Sequence, residues 1–178
     1  MNPLQELLIQ IEEKELWQED LVLERNEYLN RNGKIDSNLY LVLSGSLRIY
    51  YLDEKEEHTI RFGYQNSFFG ALDSFIKDQP SAYNIQALKK AELKVVSKDE
   101  FMDLVNSSRE NQLLWQDLLG ELVFQQMERE IDLLTSSPQE RYRRVFKRSP
   151  QLFQEIPNKY IAAYLRMTPE TFSRIKKS

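Results

Sequence analysis

PNKYIAAYLRMTPETFSRIKKS, residues 157–178, reads as a helix, a tight turn and a second helix. Pro157 opens the first helix, and Ile161, Ala162 and Leu165 fall on one side of it at helical spacing. The turn is Arg166-Met167. Thr168 then suits an N-cap, with Pro169 at the first helical position, where its missing N–H costs nothing. Met167 and Phe172 have the spacing of a hydrophobic staple. With each residue advancing about 100°, Glu170, Thr171, Ser173, Arg174 and Lys177 turn away from Phe172 and Ile175. That polar side carries groups able to read base edges: Arg bonds guanine, Glu accepts from cytosine, and Thr or Ser reaches bases and phosphates. An ordinary amphipathic surface helix shows the same pattern, so the second helix alone does not decide.

Charge sharpens the reading. Residues 135–178 hold ten Lys or Arg and three Glu, a net of +7, whereas residues 1–134 hold 14 basic and 25 acidic groups, a net of −11. A short basic segment on an acidic body predicts a polyanion partner, double-stranded DNA, for that segment. Lysines and arginines solvating one face are the alternative. Thr135-Ser136-Ser137-Pro138 marks its boundary: small polar residues, then Pro at a first helical position.

Upstream, Ser108 to Leu134 contains no Pro and one Gly, Gly120, with apolar residues throughout. The spacing predicts a helix of roughly 40 Å. Leu114, Leu118 and Leu122, continued by Met127, Ile131 and Leu134, form one stripe, and Leu113, Trp115, Leu119, Val123 and Phe124 widen it to more than one face. Two apolar faces need two partners, the chain's own sheet and a second copy of itself, which places Leu114, Leu118 and Leu122 on an expected dimer face. Burial within one domain is the alternative, and Gln125-Gln126 interrupts the heptads.

Residues 4–16 predict an opening helix through Leu4, Leu7, Leu8 and Ile11. LYLVLSGSLRIYYL, residues 39–52, reads as two strands turned at Ser44-Gly45; HTIRFG and residues 86–97 supply more. Short strands with no helix between them favour an antiparallel roll. Ser97 and Glu100 then have capping-box spacing at the start of a helix. The expected fold is α+β: an antiparallel β-roll over 1–107, a long dimerisation helix over 108–135 and an all-α helix-turn-helix domain over 136–178.

Composition excludes several functions. There is no Cys, hence no disulfide, thiolate zinc site or iron–sulfur cluster, and His58 is the single His. His58 lies in the polar run DEKEEHT, read as a solvated hairpin tip. No metal site and no cofactor are expected. No nucleophile motif, His–acid pair or P-loop is present, so the chain is not read as an enzyme and has no candidate catalytic residue. Charges interrupt every apolar stretch, so no membrane span is expected, and acids in MNPLQELLIQIEEKELW argue against a signal peptide, which points to the cytoplasm.

The C-terminal stretch PQERYRRVF…SPQLFQEIPNKYIAAYLRMTPETFSRIKK resembles the Crp/Fnr superfamily, especially its small members, whose C-terminal domain is often written as RY, then P, then IASYLGITPETLSRIR. The resemblance implies recognition-helix positions for Thr168, Glu170, Thr171, Ser173 and Arg174, with Glu170 and Arg174 as base contacts. LYLVLSGSLRIYY is similar to the β-roll segment of cyclic-nucleotide-binding domains, and SFFGALDSFIKDQPSAYNIQAL resembles their phosphate-binding cassette. In the family a Glu after Phe-Gly bonds the ribose and an Arg after Pro neutralises the cyclic phosphate. Here Phe69-Gly70 is followed by Ala71, and Pro80 by Ser81 and Ala82. Neither replaces those contacts, and a lost charge-assisted contact outweighs a neutral bond of ~1 kcal/mol. Two further departures are Arg166, where the family has Gly in the turn, and Ser178, after which there is no room for the β-hairpin wing of many members. Phe68, Phe69, Leu72 and Phe75 suit either a more apolar ligand or core filling.

The expectation is a homodimeric, sequence-specific DNA-binding transcription regulator whose pocket does not take cyclic AMP and whose effector, if it has one, is an unknown small molecule. The alternative is an effector-binding or protein-interaction module whose truncated DNA-binding domain is weak or inactive.

Overall fold

In the computed structural model, which describes residues 2–177, Asn2 caps helix α1 (Pro3–Glu13) by accepting the Leu4 N–H. Eight strands among the described residues follow: β1 (Leu21–Leu23), β2 (Tyr28–Asn30), β3 (Leu39–Ser44), β4 (Ser46–Asp53), β5 (Glu56–Tyr64), β6 (Phe68–Phe69), β7 (Asn84–Ala87) and β8 (Ala91–Val96). A short helix, α2 (Leu72–Lys77), joins β6 to β7. The strands pair antiparallel in two four-stranded sheets, β1-β8-β3-β6 and β2-β7-β4-β5. Their apolar sides close on Val42, Leu47, Ile85, Ala87 and Leu93, none of which reaches solvent. The antiparallel roll expected from the strand texture is therefore present. Its turn at Gly45 needs glycine twice over: φ is +82°, and a Cβ there would lie 2.1 Å from the Lys90 carbonyl oxygen.

Helix α3 (Lys98–Asn106) is capped by Ser97, which accepts the Glu100 N–H, as its spacing predicts. Helix α4 (Arg109–Leu134) starts from the Ser108 cap and, at 26 residues, runs about 39 Å. Its first half packs with α1 and α3 around Leu7, Ile11, Phe101 and Leu118. The buried Asn111 amide ties the three helices together, donating to the Leu104 carbonyl and exchanging bonds with Gln10. Phe75 and Trp115 meet edge to face, and Phe68 packs on Phe101, so the aromatics beside the cassette fill this core.

Four helices complete the described residues: α5 (Pro138–Arg148), capped by Ser137, then α6 (Leu152–Glu155), α7 (Asn158–Tyr164) and α8 (Pro169–Lys177). They enclose Val145, Ile161, Leu165 and Phe172, and this cluster reaches onto the roll through Phe62 and Leu88. Docking of the C-terminal helices on their own roll has no sequence signature, because Phe62 and Leu88 lie 50 residues or more before the helices they meet. No helix among the described residues is long and apolar enough to cross a membrane.

Candidate nucleic-acid interface and cassette

Helix α8 owes its position to Phe172, which is buried between Tyr142 and Phe153. The rest of the helix turns outward: Glu170, Ser173, Arg174 and Lys177 are exposed and, with Pro169, line a shallow surface concavity. Thr171 is half-buried. Thr168 accepts the Thr171 N–H, so its hydroxyl is the N-cap that starts the helix. Glu170's carboxyl is held below the usual carboxylate range by its own backbone N–H and by the Thr168 hydroxyl. Of the six residues read as base- or phosphate-contacting, four thus share one accessible side, Thr171 is half-buried, and Thr168 stands at the head of the helix.

The turn before α8 is held by a residue the sequence reading passed over. Arg141, buried on α5, donates from Nε to the Leu165 carbonyl at 2.8 Å and from Nη2 to the Arg166 carbonyl at 3.1 Å. Its Nη1 takes the Thr135 and Ser136 carbonyls. One guanidinium therefore joins the α4–α5 link to the α7–α8 turn. Arg166 itself adopts φ +51°, the left-handed conformation for which the family uses Gly. Asp132, fully buried on α4, accepts from Arg144 and Arg148 of α5 and fixes the next joint. On the roll side Tyr164 packs against Phe62 at 5.3 Å and under the Arg129 guanidinium at 3.6 Å, and Arg48 lies over Tyr160. The signal in the sequence for Arg141 was its place next to Tyr142 in the family's RY pair, not any spacing rule.

The cassette residues come together at the β6–α2 turn and the start of β7. Phe69 and Ala71 are buried, and Gly70 approaches the Asn38 carbonyl so closely that a Cβ would lie 2.6 Å from it. Ser81 is buried and Ala82 exposed. Between them sits a carboxylate of the chain itself. Asp73 accepts the Ser81 hydroxyl at 2.9 Å, the Ala82 N–H at 2.8 Å and the Ser74 N–H at 2.9 Å. These donors are satisfied from within the chain.

Helix α4 places its leucines differently from the expectation. Leu118 is buried in the core of its own roll, Leu114 packs on that core, and Leu122 faces a cleft beside β5. The exposed stripe is a part-turn away: Leu113, Val123, Phe124, Met127, Ile131 and Leu134, with Phe124 63% and Leu134 77% accessible. Gly120 lies on the same side, with nothing within 4 Å of a Cβ built there. His58 pairs across the β4–β5 hairpin with Tyr51 and lies 3.9 Å from Glu56. Among the described residues no group of three or more acids or His is placed to hold a metal ion.

Residues 21–108, which span both sheets, α2 and α3, match the family model of the cyclic nucleotide-binding domain. No curated protein matches the sequence significantly. Among solved structures, the catabolite activator protein of Thermus thermophilus is similar with a TM-score of 0.56 at 20% identity, over 98% of this chain and 81% of that one. FixK2 from Bradyrhizobium japonicum gives 0.71 at 17% identity, over 89% and 82%. CLP, the c-di-GMP responsive global regulator of Xanthomonas campestris, gives 0.67 at 15%, over 97% and 90%. At such identities the likeness is one of fold, and it continues past the roll into the helices beyond. Residues 21–108 are thus similar to the cyclic nucleotide-binding domain, and the chain as a whole shares its fold with these solved structures.

Proposed function

We propose that the chain is a homodimeric, sequence-specific DNA-binding transcription regulator of the cytoplasm, without enzymatic activity, whose cassette no longer takes cyclic AMP. One observation carries the reading: α8 is capped and anchored by Phe172 while Glu170, Ser173, Arg174 and Lys177 stay exposed, in a segment of net charge +7. That is the arrangement of a recognition helix, with base-reading groups outward and a rigid apolar dock behind. Residues 1–107 serve as sensor, 108–135 as dimer helix and 136–178 as DNA reader.

The exposed α4 stripe supports a second copy as partner. Gly120, Phe124, Met127, Ile131 and Leu134 follow alternating steps of four and three, the seam of a parallel pair of helices. Such a pair would present two α8 helices to half-sites about one DNA turn, ~34 Å, apart. The Asp73 carboxylate within the cassette, together with Ala71 and Ser81, supports the loss of cyclic AMP.

The test is fluorescence anisotropy on a randomised duplex library with a salt titration and sequencing of the retained fraction. Enrichment of a palindrome, with affinity falling steeply as salt rises, is the expected result. Affinity that is weak and flat in salt would favour the second reading, an interaction module, for which the docking of α5–α8 on the roll through Phe62 and Leu88 speaks.

A further inference from the structure

A cleft of about 390 Å³ lies where the roll, α4 and the C-terminal helices meet. Its lining mixes polar and apolar groups: Phe62, Phe69, Leu122 and Val145 form an apolar part, and Arg61 from β5 and Arg129 from α4 come in beside them. Of the cassette residues Phe69 contributes to its wall, whereas Ala71, Ser81 and Ala82 do not line it. The volume is that of a small-molecule site.

The two arginines are unusual in what they lack. Arg129 is 92% buried; Nη2 donates to the Tyr164 carbonyl, but Nη1 is buried with no hydrogen-bond partner. Arg61 is half-buried, and its guanidinium forms no hydrogen bond or ion pair with any described residue. Desolvation pulls the pKa of both guanidiniums down. Arg148 also borders the cleft, but Asp132 and Glu128 already engage it. Glu121 stands exposed on the rim and is paired with neither arginine. Buried donors are ordinarily satisfied, and two cations cannot satisfy one another.

We infer that this cleft is a binding site, distinct from the Asp73–Ser81–Ala82 cluster of the cassette, for a small organic oxyanion: a phosphate or carboxylate on an apolar body, gripped by Arg61 and Arg129. Guanidinium forks match such groups with paired, charge-assisted bonds, and the aromatic and aliphatic walls take the body. The site stands on the cleft alone. Its consequence rests on the proposed function: the occupant would touch β5, α4, α5 and Tyr164 of α7 at once, and so fix the DNA-reading helices against the sensor.

Isothermal titration of the full chain with phenyl phosphate, and with benzoate as the carboxylate counterpart, at constant ionic strength tests it. Saturable binding of either is expected, and Arg61→Gln should weaken it by about tenfold or more. Because Arg61 has no partner to lose, that variant should unfold at the same or a higher temperature. Arg174→Ala, on the outer face of α8, should leave the binding intact, which separates the cleft from the DNA-phosphate surface. No saturable binding of either probe, or equal binding by Arg61→Gln, overturns the inference. DNA affinity is measured separately by anisotropy, so its absence would strike the regulator reading without touching the site.

Discussion

The Asp73 carboxylate and the Ser81 hydroxyl are hydrogen-bonded at 2.9 Å, the acid of α2 reaching across the cassette to the loop before β7. The family resemblance implies an arginine at position 81 that would hold a ligand's phosphate. This chain has instead an internal anion that takes the Ser81 hydroxyl with one oxygen and the Ala82 N–H with the other. Asp73→Ala would leave a fully buried hydroxyl and a loop N–H without their acceptor, at a cost of about 1–3 kcal/mol in urea unfolding. Cyclic AMP should leave the melting temperature of the unaltered chain unchanged. A saturable rise of several degrees would show that the ligand displaces Asp73 and would overturn the loss of the cassette.

Arg141 and Arg166 make opposite predictions about the same turn. Arg141→Ala removes the donor shared by four carbonyls, including that of the buried Leu165, and should cost at least about 2 kcal/mol. Arg166→Gly relieves a left-handed residue at φ +51° and should gain about 0.5–1 kcal/mol. Urea midpoints measure both. A loss of stability in Arg166→Gly would mean that its side chain, beside Ala163 and Thr59, does more for the turn than its backbone takes away.

The legibility of this fold followed the range of each signal. Caps and turns are local, so Ser97, Thr168 and the Gly45 turn are found where their spacing places them. Strands β1, β2 and β6 are two or three residues long, too short for period-2 alternation, and only pairing with distant strands defines them. On α4 every face carries apolar residues, so periodicity alone gave no way to tell the side turned to the roll from the side left open. The position of Leu118 was decided by Phe101 and its neighbours, which the helix's own sequence does not encode. The exposed polar side of α8 was readable because one helix suffices to define it; Asp73 and Arg141 were not, because their partners lie across turns.

The two sides of α4 separate assembly from folding. Phe124→Glu with Met127→Glu puts charge on the exposed stripe, and should convert a dimer to a folded monomer in size-exclusion chromatography with light scattering. Leu118→Ala, on the roll side, should instead cost about 2–5 kcal/mol of stability with the assembly state retained. A dimer that survives the two glutamates would move the interface off this stripe.

Arg174 and Lys177 lie three residues apart on the exposed side of α8 and should fail in different ways. Arg174, one turn into the helix, is exposed and carries a fork of the kind that bonds a guanine edge. Arg174→Ala should therefore relax one position in each half-site, by roughly 1–3 kcal/mol, and leave the preference at other positions in place. Lys177, at the end of the helix, offers a point charge suited to phosphate. Lys177→Ala should weaken all duplexes alike and lower the slope of log affinity against log salt by about 1. Both follow from sequencing the retained duplexes across a salt series. Uniform weakening by Arg174→Ala, with no position relaxed, would make it a phosphate contact and leave Glu170 as the remaining candidate for base reading.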